Sequence, residues 1–141
     1  MDEHFMRMAI AEAMKSSEPL KCGAVIVNDG HVVSKACNSQ RSLNDASAHA
    51  EINAIREAGR KTGSKDLKKC IIYCTCEPCI MCLTAIAFSK IRKIVYGLQL
   101  KDVLSKEKLI DIDIERFLSL LPYKIEVVKN FMKDECLSLL H

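Results

Sequence analysis

The alternation of hydrophobic and polar positions divides the chain into helical and strand-like segments. Residues 4–15 place apolar side chains at three- and four-residue intervals, which predicts an amphipathic helix. The apolar run 22–27 and the segment 31–37 flank Asn28-Asp29-Gly30, and this pattern predicts a hairpin of two strands. The same criteria predict further strands at 67–75, 93–97 and 123–128, and further helices at 48–59, 79–89, 102–108, 113–120 and 131–140. Strands and helices in this order favour a three-layer α/β fold with helices on both faces of a central sheet.

Composition and charge are those of an ordinary globular protein. The chain has 141 residues, of which 49% are hydrophobic and 28% charged, and this length fits a single domain spanning 1–141. The formal net charge of +3 is weak evidence for a polyanionic partner, and the basic cluster at 60–69 is interpreted as a solvated loop. The chain has no apolar run of about 18 residues and begins with acidic residues, so we expect a cytoplasmic protein with no membrane partner.

Two short motifs, SAHAEINAI and CTCEPCIMC, carry the candidate chemistry. His49, Cys79 and Cys82 offer one nitrogen and two sulfur donors, and Glu51 adds a carboxylate two residues from the imidazole. A catalytic zinc ion keeps three protein ligands and leaves its fourth position to water, whose pKa it can lower to about 7. A carboxylate beside the metal can then accept the proton. We predict one zinc ion per chain, bound by His49, Cys79 and Cys82, with Glu51 as the proton-transferring catalytic residue.

The spacing within each motif makes such a centre reachable. Cys79 and Cys82 are three residues apart and share one helical face. Pro78 suits the first position of a helix, so both thiols lie near a helix N-terminus, where the dipole favours thiolate. His49 and Glu51 are separated by about 200° on an ideal helix. They can approach one metal ion only if it lies at the helix end.

The segments His49-Ala50-Glu51 and Pro78-Cys79-Ile80-Met81-Cys82 resemble the H-x-E and P-C-x-x-C signature of the zinc-dependent cytidine/deoxycytidylate deaminase superfamily. This superfamily includes cytosine, guanine and tRNA adenosine deaminases. The resemblance implies a cytidine-deaminase-like α/β/α fold with a central mixed five-stranded sheet. It also implies hydrolytic loss of ammonia from an amino-bearing ring carbon, and a homodimer.

The resemblance further suggests residues that contact the substrate. Asn38 stands 11 residues before His49, like the base-contacting asparagine of purine-acting members, although an asparagine in a turn after a strand is the alternative. Backbone groups around Ala50 and Glu77 would orient the base together with Asn38. Asp102 is similarly placed to an acidic base contact of guanine deaminases, and a solvated surface position is the alternative.

The resemblance leaves the substrate open between a small molecule and RNA. The run Thr75-Cys76-Glu77-Pro78-Cys79 resembles guanine deaminases, whereas 89–93 and 124–140 resemble tRNA adenosine deaminases. The Asp-Ala-Lys-Thr-Gly-type loop of the tRNA enzymes is absent, since residues 98–103 read LQLKDV. We therefore expect deamination of a free nucleobase, nucleoside or analogue, of guanine or cytosine type first. Adenosine-to-inosine editing of tRNA is the alternative.

Two rival interpretations remain. One is a closed four-thiolate zinc or iron-sulfur site made by Cys74, Cys76, Cys79 and Cys82. The other is a non-catalytic subunit with the deaminase fold, which would have no use for Glu51. Outside the second motif the chain has four further cysteines, which are interpreted as core residues because free cysteine is commonly buried: Cys22, Cys37, Cys70 and Cys136.

Overall fold

The computed structural model describes residues 2–103 and 113–140 of the chain. Five strands form one sheet in the order β2-β1-β3-β4-β5. The strands are β1 (Gly23–Asn28), β2 (His31–Cys37), β3 (Cys70–Cys76), β4 (Lys93–Leu98) and β5 (Glu126–Val128). The helices are α1 (Glu3–Ala13), α2 (Gln40–Leu43), α3 (Ala50–Thr62), α4 (Ile80–Phe88), α5 (Leu100–Val103), α6 (Ile114–Ser119) and α7 (Lys133–Leu137), which continues into a 3-10 turn (Ser138–Leu140). Within the described residues, no helix is long and apolar enough to cross a membrane.

The sheet is mixed, and the pairing between its strands changes from antiparallel to parallel at β3. Strand β1 pairs antiparallel with β2 and with β3. Strand β4 runs parallel to β3 on one side and to β5 on the other. The end of β3, the end of β4 and the start of β1 therefore meet at the same edge of the sheet, and this edge carries the functional residues described below. The predicted mixed five-stranded sheet is confirmed.

The sheet separates two hydrophobic clusters, as the predicted three-layer arrangement requires. Ala24 and Ile26 of β1 belong to the cluster shared with α3 and α4, whereas Val25 and Val27 belong to the cluster shared with α1 and α7. This alternation follows from the two-residue period of a strand. Burial on both faces explains why the central strands consist almost wholly of apolar residues.

Helix ends account for most differences between the predicted and observed elements. Helix α3 continues through Gly59 to Thr62 and ends at Gly63, which has a left-handed backbone with φ of 67°. Gly63 can adopt this conformation without steric cost, whereas Gly59 is merely tolerated inside the helix. Helix α2 was not predicted because its four residues show no periodicity. Most of the predicted helix at 102–108 lies outside the described residues.

Strand β2 contains a bulge. Ile26 is paired with Ser34 and Val27 with Val32, so Val33 is an extra residue on β2. The bulge lies on one of the two outer strands of the sheet, since β2 is hydrogen-bonded to a neighbour on one side only.

Gly23 allows helix α1 to pack directly against the start of β1. A Cβ atom at this position would collide with the carbonyl oxygen of Ala9 and would lie 2.8 Å from the backbone nitrogen of Ala13. We expect Gly23→Ala to lower the free energy of unfolding by about 3 kcal/mol, the upper end of overpacking costs, because backbone atoms cannot move aside. Urea denaturation followed by circular dichroism measures this change. Gly59→Ala is the matched control: its Cβ would lie 3.6 Å from the nearest atom, and it should stabilise the helix slightly. Equal unfolding midpoints for the two variants would contradict this account of Gly23.

Candidate metal centre

The three predicted ligands and the predicted proton carrier lie where α3 and α4 begin. His49 is the N-cap of α3, and Cys79 is the N-cap of α4, both with extended backbone. Neither side chain caps its own helix, so the imidazole and the thiol remain available to a metal ion. Cys82 and Glu51 follow in the first turns of their helices. The expectation that the site lies at the helix ends is confirmed, although His49 and Cys79 precede the helices rather than belong to them.

The separations between the donor atoms fit a tetrahedral zinc ion. The Nδ1 atom of His49 lies 3.6 Å from the Cys79 sulfur and 3.5 Å from the Cys82 sulfur. Zinc bonds of about 2.1 Å to nitrogen and about 2.3 Å to sulfur, at a tetrahedral angle, place such atoms about 3.6 Å apart. All three donor atoms lie within 4.8 Å of one another. One imidazole and two thiols therefore suit one zinc ion, with a fourth position left for water.

The two thiols differ in acidity because they share a hydrogen bond. The hydrogen bond from Cys82, reinforced by His49, lowers the pKa of the Cys79 thiol to about 4. The pKa of the Cys82 thiol is raised, first by its hydrogen bond to Cys79 and then by burial. Cys79 is thus already a thiolate at neutral pH, and its negative charge favours binding of a metal cation.

Glu51 is a buried carboxyl group beside the ligands. Only 6% of the residue is exposed, and its side chain interacts with the Cys82 thiol. Burial raises the pKa of the Glu51 carboxyl because desolvation disfavours its charged form. A carboxyl group with a raised pKa holds and releases a proton closer to neutral pH than an exposed glutamate does, which suits general acid-base catalysis.

A cavity of about 400 Å³ opens beside the centre and is bordered by His49, Glu51 and Cys79. Its volume is in the range of small-molecule sites. Three predicted substrate contacts, Asn38, Ala50 and Glu77, also line it, so the structure brings these six residues together around one space. Further lining residues that the sequence did not indicate come from loops, a strand end and the short helices α2 and α5: Glu18, Pro19, Leu20, Cys22, Gln40, Arg41, Cys76 and Leu100.

Asn38 is held rigidly in the cavity wall. Its Nδ2 donates to the carbonyl of Leu20 at 2.6 Å, and its Oδ1 accepts from the backbone N–H of Cys22 at 3.0 Å. The backbone N–H of Asn38 also donates to the Cys22 carbonyl. These bonds use one of the two Nδ2 hydrogens, so the other remains available to a ligand.

Asp102 is not among the residues that line the cavity. Its carboxylate accepts from the backbone N–H of Gln99 at 3.2 Å and pairs with the Lys133 ammonium at 3.2 Å. These partners lower the pKa of the Asp102 carboxyl and keep it charged. Of the two interpretations given for Asp102, this geometry offers no direct support to the base contact, which stays a prediction.

The four-thiolate alternative is wrong. Cys74 is fully buried within β3 and Cys76 is 8% exposed at its end. Among the described residues, the cluster able to hold a metal ion consists of His49, Cys79 and Cys82. The strand directs Cys74 into the hydrophobic core, and the sequence could not show this. Of the four cysteines expected in the core, Cys70 and Cys136 are buried, whereas Cys22 and Cys37 are only half-buried.

The model of the cytidine and deoxycytidylate deaminase zinc-binding region matches residues 1–98, which include both motifs. The chain belongs to this family. The deaminase family is zinc-dependent and cleaves C–N bonds by hydrolysis, and the ion that this ligand set fits is accordingly zinc.

Named relatives of this deaminase-family chain include tRNA-specific adenosine deaminases. That of Aquifex aeolicus (strain VF5) is 44% identical over 97 residues, which cover 67% of this chain and 64% of the relative. The match thus spans less than two thirds of that protein's length. That of Buchnera aphidicola subsp. Schizaphis graminum is 35% identical over 141 residues, covering 99% of this chain and 91% of the relative.

Solved structures of the family differ in how far they follow this chain. A structure solved in a study of A-to-I editing by tRNA:A34 deaminases is 35% identical, with a TM-score of 0.84 over 99% of this chain and 100% of that chain. Guanine deaminase from Bacillus subtilis is 30% identical, with a TM-score of 0.68 over 84% of this chain and 90% of that chain. Both structures cover a larger share of this chain than the zinc-binding region, which ends at residue 98.

Proposed function

We propose that this chain is a tRNA-specific adenosine deaminase, which converts adenosine to inosine in RNA by hydrolysis. The observation that carries the proposal is the extent of the similarity. The tRNA-type relative from Buchnera aligns over 99% of this chain and therefore continues through the region beyond residue 98, where the family model ends. The structure from the A-to-I editing study follows the same extent.

The proposal replaces the preference for a free base of guanine or cytosine type. That preference rested on residues 98–103, which lack the loop of the tRNA enzymes. The relatives favour the alternative because the tRNA-type structure superposes more completely than the guanine deaminase structure does. One loop is a weak guide to substrate size, since the surface that a large substrate touches is spread over many segments of a fold.

The proposed reaction needs a nucleophile, a proton carrier and a fixed base. When bound, zinc supplies the Lewis acidity that makes water nucleophilic at neutral pH. Glu51 accepts a proton from this water and delivers it to ring nitrogen N1 of adenine as the oxygen adds at C6. Glu51 then takes the remaining proton of the added hydroxyl group and transfers it to the amino group, which leaves as ammonia. The burial of Glu51 supports this role, because the shuttle works best with a pKa nearer to neutral than that of an exposed carboxyl group.

Cavity residues position the base for this attack. The remaining Nδ2 hydrogen of Asn38 can donate to a ring nitrogen of a purine, and the backbone groups of Ala50 and Glu77 border the same space. Because two hydrogen bonds fix the Asn38 side chain, little conformational entropy is lost when it binds the base.

Two buried acceptor atoms of the cavity lining favour a nucleoside over a free base. Glu18 Oε2 and Gln40 Oε1 are buried and have no hydrogen-bond partner within the described part of the chain. Arg41 Nε lies 3.7 Å from Glu18 Oε2, which is an ion pair but too long for a hydrogen bond. Buried acceptors favour a ligand that brings donors, and the ribose of a nucleoside has hydroxyl donors that a free base lacks. The largely exposed Arg41 side chain, which also lines the cavity, suits a phosphate group.

The test compares substrates directly. Zinc-loaded protein is expected to form inosine in a tRNA or anticodon stem-loop with adenosine at the wobble position, and to release little ammonia from adenine, adenosine, guanine or cytosine. The same RNA with guanosine at that position is the control and should be unchanged. Ammonia release from guanine without inosine in the RNA would reject the proposal in favour of a guanine deaminase. Silence with every substrate would favour a non-catalytic subunit.

We also propose that the chain is a homodimer. The side chain of Phe88, at the end of α4, is one observation in favour of it. Phe88 is 82% exposed and borders a surface depression together with Ile55 and Ala85, so the apolar surface left to water is a patch and not one side chain.

A further inference from the structure

Two cysteines outside the zinc ligand set face each other in the cavity wall. Strand β1 pairs with β3 so that Ala24 lies opposite Cys74. Continuing this antiparallel register by two residues beyond Ala24 and Cys74 brings Cys22 opposite Cys76. Both residues line the same cavity.

The spacing of opposed residues matches that of a disulfide. Directly opposite residues of an antiparallel pair have Cα atoms about 4.5–5.5 Å apart, and disulfides join Cα atoms about 4.4–6.8 Å apart. The Cys76 thiol shares a hydrogen bond with the Cys22 thiol, and this bond is the largest cause of the raised pKa of Cys76. The two sulfur atoms are therefore close. No large backbone movement is required to join them.

The neighbouring cysteines lack this combination of a partner and access. Cys74 and Cys70 are buried in β3 and do not border the cavity, and neither does Cys136, which is buried against Gly97. Cys22 is half-buried at the cavity and so provides the entry point for a small reagent. Cys76 lines the same cavity but is only 8% exposed.

We propose that Cys22 and Cys76 form a reversible disulfide in the wall of the substrate cavity. The oxidant is a low-molecular-weight disulfide. The Cys22 sulfur attacks it as thiolate and releases one small thiol, which leaves a mixed disulfide on Cys22. The Cys76 sulfur then attacks Cys22 and releases the second thiol. One S–S bond of the reagent is lost and one is formed in the protein, and the two thiol protons pass to the released thiols.

This bond connects two segments that shape the cavity. Cys22 holds Asn38 through both its N–H and its carbonyl group. Cys76 ends β3 and is followed by Glu77, which borders the cavity, and by Pro78 and Cys79 at the start of α4. Joining the two sulfurs fixes the distance between the base-binding wall and the zinc-binding helix. We therefore expect the oxidised form to bind substrate less well than the reduced form, an effect that rests on the proposed function, whereas the disulfide itself does not.

The experiment treats zinc-loaded protein with oxidised glutathione, blocks the remaining thiols and maps the peptides by mass spectrometry. Trypsin should yield residues 22–35 joined to residues 70–90, and the fragment ions of the joined peptide should locate the bond at Cys76, with the blocking group on Cys70, Cys74, Cys79 and Cys82. Cys22→Ser and Cys76→Ser should each abolish the joined peptide, whereas the matched control Cys70→Ser on the same strand should retain it. Zinc content should stay at one ion per chain throughout.

Three outcomes would overturn the proposal. They are a stable glutathione adduct on Cys22 that is never displaced by Cys76, a crosslink through Cys79 or Cys82 with loss of zinc, and no crosslink at all. Because the readout is a peptide mass, it does not depend on enzyme activity. A protein that crosslinks as described but deaminates no RNA would reject the proposed function and leave this inference standing.

Discussion

Glu51→Gln is expected to lower the rate of deamination by at least about 100-fold, the lower bound for removing a general acid-base group. Glutamine keeps the shape of the side chain and its hydrogen bonding, but it cannot accept and deliver a proton. Its zinc content should equal that of the unaltered protein, because Glu51 is adjacent to the ligand set and not part of it. Inosine formation measures the rate, and elemental analysis measures the zinc.

Glu57→Gln is the matched control for this prediction. Glu57 lies on the same helix α3 but pairs with Lys61 at 2.7 Å and does not border the cavity. It should retain full activity. A Glu51→Gln protein that binds zinc and still deaminates at the original rate would remove Glu51 from the mechanism.

Cys82→Ser is expected to weaken zinc affinity by more than about 100-fold, since loss of an outer partner of a ligand alone costs up to that factor. Serine is a poor zinc ligand at neutral pH, and the remaining His49 and Cys79 supply two donors. Deamination should be lost with the metal. The melting temperature in excess zinc should fall as well, because the altered protein gains less stabilisation from binding.

Competition with a chelator measures the affinity, and Cys70→Ser supplies the comparison. Cys70 is 5% exposed in the core, so this variant tests what a buried serine costs without touching the metal. It should lose some stability and keep its zinc. Equal zinc affinity in the Cys82 and Cys70 variants would show that Cys82 is not a ligand.

The amino-acid sequence predicted the zinc centre more completely than the cavity around it. His49, Cys79 and Cys82 could be recognised because their chemistry is confined to two short motifs with fixed local spacing. Glu18 and Gln40 carry no comparable signal. Glu18 lies in the loop after α1 and Gln40 begins helix α2, and they reach the cavity through tertiary packing, which depends on the whole fold rather than on neighbouring residues.

The strands and helices were predicted well where periodicity was strong. Strand β2 was predicted with its observed bounds, and the ends of α4 were each placed within one residue. The apolar run of β3 does not show that the strand pairs antiparallel with β1 and parallel with β4. Parallel and antiparallel central strands are equally apolar when both faces are covered. For the same reason, the pairing that brings Cys22 opposite Cys76 could be found only from the sheet.

The bulge in β2 has a consequence for how the molecules behave at high concentration. An outer strand presents unpaired N–H and C=O groups, to which a strand of another molecule can add. The extra residue Val33 interrupts the regular ladder there, and the nearby Lys35 adds an exposed positive charge. Both features disfavour growth of the sheet into fibrils by strand addition at β2, and we expect them to limit amyloid-like aggregation during expression and concentration.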